Sequence, residues 1–185
     1  MKNQATLIIG ANSEIAKALS SNIITFENTQ LIVISRDTSS YQQEKFNKTS
    51  VITLNDYQEQ SIRQATSQLK SLTKLPITKV FICHGVLHTK DQLPEKRLED
   101  FSPTIFNQIV AANTITPMLW LKHLTPILSG KVDCKITIFS ARVGSIADNK
   151  LGGWYSYRAS KAAMNMLIKS TSIELARRAK NIKLI

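Results

Sequence analysis

Apolar runs of strand length alternate along this chain with amphipathic stretches of helix length. The runs Thr6–Ile9, Gln30–Ser35, Ser50–Leu54, Lys79–Cys83 and Cys134–Ser140 read as strands. Leu31-Ile32-Val33-Ile34 and Val80-Phe81-Ile82 are apolar throughout rather than alternating, as expected of strands covered on both faces. Helical periodicity lies between them, near Glu14–Ile24, Gln58–Leu72, Asp100–Leu128 and Tyr155–Ala179, with Pro117 marking a helix start or a kink inside the third. Neither a repeat nor a linker interrupts the series. The alternation predicts βαβ units in an α/β fold, a three-layer, doubly wound parallel sheet. The first two helices then lie on opposite faces if the chain reverses direction at mid-sheet, and a ligand would bind beyond the carboxyl ends of the strands at that reversal. Asn181–Ile185 reads as a strand only just begun, so one domain is expected over residues 1–185, cut short at the sixth strand.

Composition narrows the partners. Hydrophobic residues make up 43% of the 185 and charged residues 20%, a globular balance. No segment reaches the roughly 18 consecutive apolar residues of a spanning helix, and the short run after Met1 ends in a glycine turn rather than a cleavage site. A cytoplasmic protein without membrane contact is therefore expected. Cys83 and Cys134 sit in strand-like runs and suit a reducing compartment; with His84, His88 and His123 they give no metal-ligand spacing. Twenty-four lysines and arginines against 13 acids give a net charge of +11. These charges are scattered, without the continuous basic stripe of a nucleic-acid binder, and fit a solvated surface whose field attracts a phosphate-rich ligand.

Two segments suggest such a ligand. In Ile9-Gly10-Ala11-Asn12-Ser13-Glu14-Ile15, a strand should turn into a helix whose free amides suit a pyrophosphate. An ordinary turn capped by Ser13 or Asn12 reads the same pattern equally well. At the end of the second strand stands Ser35-Arg36, with no acid before Asp37, and Arg36 offers bidentate geometry to a 2′-phosphate.

The sharpest signal is Tyr155-Ser156-Tyr157-Arg158-Ala159-Ser160-Lys161. Tyr157 and Lys161 are four apart and share a helix face. A lysine cation beside a phenol is expected to lower its pKa from about 10, making it a usable general acid or base.

With these residues in place the chain resembles the short-chain dehydrogenase/reductase family, in the branch of C-factor-like and small carbonyl-reductase-like proteins, over essentially its whole length. The resemblance implies a Rossmann fold and hydride transfer between a nicotinamide cofactor, NADP(H) ahead of NAD(H), and a small carbonyl or alcohol substrate. It assigns the proton transfer to Tyr157, and to Lys161 the lowering of the tyrosine pKa and a bond to the nicotinamide ribose. Asn113 matches the asparagine that holds a water behind the lysine, and Ser140 the serine that polarises the substrate oxygen. Gly10, Asn12, Ser13, Glu14, Ile15, Arg36 and Gly85 fall at cofactor contacts, and Asn55 or Asp56 where relatives meet adenine. Relatives pair their two long helices, so a homodimer or homotetramer is implied.

The departures also matter. Relatives often read Ser-Ser-x-x-Gly where this chain has Ser140-Ala141-Arg142-Val143-Gly144-Ser145, so either Ser140 or Ser145 takes the serine's role, or the oxygen is held less well. Glu14 and Ala16 replace two loop glycines, and Ile82-Cys83-His84-Gly85 stands for the family's Asn-Asn-Ala-Gly, making His84 a structural or cofactor-edge residue. These losses leave a second reading open, a dinucleotide-binding regulatory or signalling module with little or no turnover.

Overall fold

A computed structural model describes residues 3–88 and 93–185. Six strands, β1 (Gln4–Ile9), β2 (Thr29–Ser35), β3 (Ser50–Thr53), β4 (Ile77–Ile82), β5 (Cys134–Ile138) and β6 (Ile182–Leu184), form one sheet in the order β3-β2-β1-β4-β5-β6. Every neighbouring pair is parallel. The helices are α1 (Glu14–Ile23), α2 (Glu59–Leu72), α3 (Pro103–Val110), α4 (Thr116–Leu128) and α5 (Tyr155–Arg178).

The continuous apolar strands feed two cores because successive side chains leave opposite faces. Leu7 and Ile9 of β1 join Ile32, Val80, Trp120 and Leu124 in one cluster, which takes residues from α2, α4 and α5. Ile8 joins Leu31 and Val33 in the other, covered by Ala16 and Ile23 of α1 and by Tyr41 and Phe46 from two short 3-10 turns. Helices α1 and α2 thus cover opposite faces, and the winding reverses between β1 and β4. The cleft opens at that point, where neither crossover covers the strand ends.

Two expectations are corrected in detail. The predicted helix over Asp100–Leu128 is broken: α3 begins at Pro103, and residues Ala111–Ile115 form a π-helical turn before α4. Pro117 therefore sits in the first turn of α4, where its missing N–H costs nothing, rather than at a kink. Strand β5 ends at Ile138, which leaves Phe139 and Ser140 on the loop at the cleft.

Candidate active site

Gly10 turns the chain out of β1 with φ +73°, and a Cβ there would lie 3.1 Å from the carbonyl carbon and oxygen of Cys83. Only glycine fits both constraints. Ser13 is the helix cap, its Oγ accepting from the Ala16 amide at 3.2 Å. Asn12 instead donates to Asp37 Oδ2 at 3.0 Å. The Glu14 side chain is 90% exposed and paired with Lys17 at 3.0 Å, so its carboxylate stays away from the loop.

A cavity of about 630 Å³ opens here, lined among others by Gly10, Asn12, Ser13, Arg36, Asp56 and Gly85. The Arg36 guanidinium lies over the ring of Tyr57, 4.7 Å from its centroid, a cation–π contact at the cavity wall. Asp37 lines the same cavity and accepts from the Ser39 amide at 3.0 Å. That backbone bond, with the Ser39 hydroxyl, holds its carboxyl below the usual range. Asn55 lines a separate cavity with Ser61 and Gln64, so of the two adenine candidates only Asp56 faces the cleft.

A second cavity of about 240 Å³ adjoins the first and is lined by Ile15, Ser140, Tyr157 and Lys161 among others. Helix α5 places Tyr157 and Lys161 one turn apart on its cleft face. Lys161 is 2% exposed. Its Nζ donates to the Phe139 carbonyl at 2.9 Å and lies 5.8 Å from the centroid of the Tyr157 ring. Burial pushes the Lys161 ammonium below its ordinary range and the Tyr157 phenol above its own. The expected lowering of Tyr157 is not found: desolvation raises it, and the ammonium donates to a carbonyl.

Of the two serine candidates, Ser140 lines this cavity and donates to Asn165 Oδ1 at 2.5 Å. Ser145 accepts from the Asp148 amide at 3.3 Å in the following loop and does not line it. Asn113 is fully buried in the π turn. Its Oδ1 accepts from the Val86 amide at 2.7 Å, while its Nδ2 donates to the Val86 carbonyl at 2.9 Å and to Ser160 Oγ at 3.0 Å. It ties the loop after β4 to α5. The wider π turn brings this residue inward, as such turns often do at functional sites.

Three supports escape the sequence reading. Glu95, 4% exposed, accepts from the Ser156 amide at 3.3 and 3.4 Å and from the Ser156 hydroxyl, so it caps α5 from 61 residues upstream. Trp154 precedes the helix in a left-handed conformation (φ 52°) after Gly152 and Gly153, both also at positive φ, and packs edge-on against Tyr157. Gly144 lets the loop touch α5, since a Cβ there would meet Lys161 Cβ at 2.8 Å. The glycines were visible in the sequence, but no spacing announces a cap delivered from another segment.

Among the described residues no helix is long and apolar enough to cross a membrane, and no cluster of three or more His, Cys, Asp or Glu could hold a metal.

The sequence profile of the family described as short chain dehydrogenase matches residues 4–185. A 1-hydroxy-2-glutathionyl-2-methyl-3-butene dehydrogenase of Rhodococcus sp. is 43% identical over 58 residues, 31% of this chain and 25% of that protein. The stretches matched in curated relatives span 25–38% of the relatives' own length. Among solved structures, the carbonyl reductase Sniffer of D. melanogaster superposes with a TM-score of 0.81 at 21% identity, over 97% of this chain and 77% of that one. A short-chain dehydrogenase/reductase of Burkholderia multivorans with bound NADP gives 0.76 at 22% identity, over 98% and 77%. The chain belongs to the short-chain dehydrogenase family.

Proposed function

We propose that this member of the family transfers hydride between NADP(H) and a carbonyl or alcohol substrate, with Tyr157 as general acid and base. One observation carries the reading: Tyr157, Lys161 and Ser140 line a cavity that shares Ser13, Cys83, His84 and Gly85 with the cavity of the phosphate loop.

The residues present fit a dinucleotide. Gly10 leaves a cradle that a Cβ would close, and Gly85 leaves another, where a Cβ would stand 3.3 Å from Lys161 Nζ. The capped start of α1 presents amides and partial positive charge to a pyrophosphate, with Asn12, Ser13 and Ile15 around it. Asp56 lies at the adenosine end. The bound nicotinamide supplies or accepts the hydride.

The chain's own residues manage the proton. In reduction, the Tyr157 hydroxyl gives its proton to the substrate oxygen as that oxygen gains charge; in oxidation the phenolate takes the proton back. General acid catalysis of this kind is worth about 10²–10⁴ in rate. Lys161 has three N–H donors, of which Phe139 occupies one, so the others can meet the phenolate and the cofactor ribose. Asn113 fixes the backbone behind the lysine. Ser140 would turn from Asn165 to the substrate oxygen, a contact worth roughly 3 kcal/mol in comparable sites.

Arg36 supports NADP(H) over NAD(H): it lines the cavity, and Asp37 is occupied by Asn12 and Ser39. The bound NADP of the Burkholderia multivorans protein agrees with this choice. Unpaired Cys83 and Cys134, both pushed up to about 12 by burial, support a reducing, cytoplasmic setting. Exposed Met166, Leu167 and Ile173 on α5 support a homodimer or homotetramer through the long helices.

Ala141, at the position of the missing second serine, favours the other reading, a dinucleotide-binding regulatory module with slow turnover. Titrating the protein with NADPH and NADH, followed by nicotinamide fluorescence, tests the cofactor half. Tighter NADPH binding that is lost in Arg36→Ala is expected; equal affinity for the two would remove the role of Arg36.

A further inference from the structure

The two cavities share four lining residues, Ser13, Cys83, His84 and Gly85, which mark the junction between the phosphate-loop half and the Tyr157 half. His84 is the one among them with an ionisable, two-ended polar ring. Its Nε2 lies 3.1 Å from the indole Nε1 of Trp120, a residue with no exposed surface. An indole N–H can only donate. Nε2 must therefore be the acceptor and carry no proton. The ring edge also packs against Tyr57, 4.5 Å between centroids, and Tyr57 in turn carries the Arg36 guanidinium.

A bare Nε2 leaves a neutral imidazole one arrangement, with its proton on Nδ1. Charging the ring would require either protonating the nitrogen that faces the indole N–H or breaking that bond. Burial opposes the charge first, then the Arg36 and Lys161 cations, and together they push the pKa down to about 4. Among the described residues nothing accepts from Nδ1, and the ring is half-buried, so this nitrogen is not sealed in the core. The ring lines both cavities, so the Nδ1–H can donate to a ligand held where they meet.

We propose that His84 is a positioning residue for the dinucleotide, its Nδ1–H donating to an oxygen of the pyrophosphate or adjoining ribose where the two cavities meet, with Trp120 locking the tautomer. This rests on the dinucleotide reading above. It gives the buried Trp120 indole a purpose, since that donor reaches the ligand only through the imidazole.

The direct test is ring ¹⁵N NMR of His84 in the intact protein, from about pH 6 to 8. The lock predicts a protonated Nδ1 and a bare Nε2 throughout, with the Nδ1 resonance moving on saturation with NADPH and the Nε2 resonance staying. An Nε2-protonated ring, or an Nδ1 signal indifferent to saturating NADPH, overturns the proposal while leaving dinucleotide binding intact. Failure of the parent protein to bind NADPH at all overturns the dinucleotide reading and this proposal with it. Affinity gives a second arm. His84→Asn places an amide N–H near Nδ1 and should bind NADPH within a few-fold of the parent, while His84→Phe, without a donor, should bind roughly tenfold more weakly. Equal affinities of the two variants contradict a donor role.

Discussion

The ammonium of Lys161 lies over the ring of Tyr157, 5.8 Å from its centroid, and donates to the Phe139 carbonyl at 2.9 Å. The lysine is thus near the phenol without being aimed at its oxygen. Burial raises the phenol's pKa and favours its protonated form, the state needed by an acid that gives its proton to a carbonyl.

This sets the direction of the pH dependence. Reduction needs the neutral phenol, so its kcat/KM should be flat through neutral pH and fall only on the alkaline side. Oxidation of the matching alcohol needs the phenolate, so its kcat/KM should climb with pH over the same range. Paired pH–rate profiles for the two directions check this, and parallel profiles would contradict it.

Gly144→Ala should weaken both fold and chemistry. The new methyl would stand 2.8 Å from Lys161 Cβ and 2.9 Å from the Lys161 carbonyl carbon, both parts of the helix body that cannot swing aside. Displacing α5 should cost about 1–3 kcal/mol, read as a lowered denaturation midpoint, and should reduce kcat by more than it changes the cofactor Kd. An unchanged midpoint would show that the loop gives way instead.

Acid should destabilise the protein through His84. Its folded pKa of about 4 lies below the ordinary 6.5, so between these values the unfolded chain binds a proton that the folded one excludes. Stability is then full above about pH 6.5 and is lost as pH falls toward 4, by roughly 3 kcal/mol in all. Urea titrations across this range check it; His84→Asn should flatten the slope.

Much of this was legible in the residues. Uninterrupted apolar runs at Leu31–Ile34 and Val80–Ile82 read as strands covered on both faces, and the Tyr157–Lys161 spacing puts both side chains on one helix face. The π turn at Ala111–Ile115 was not legible, because it follows from Asn113 satisfying the Val86 backbone rather than from local propensity. The same holds for the cap Glu95 gives α5 and for Trp154, a bulky residue held left-handed with its amide donating to the Glu95 carbonyl at 2.6 Å. The sign of the Tyr157 shift differs from the spacing-based expectation for a related reason. Spacing placed the cation nearby, and only the fold shows that Phe139 holds it and that burial outweighs it.

In the proposed reaction Tyr157 handles the proton of a hydride transfer. The most direct measurement is NADPH oxidation with a panel of aldehydes, ketones and quinones by the parent protein and by Tyr157→Phe. Turnover by the parent that falls at least about a hundredfold in the variant, with NADPH affinity retained, is the predicted result. A phenylalanine variant that turns over as fast as the parent would contradict it.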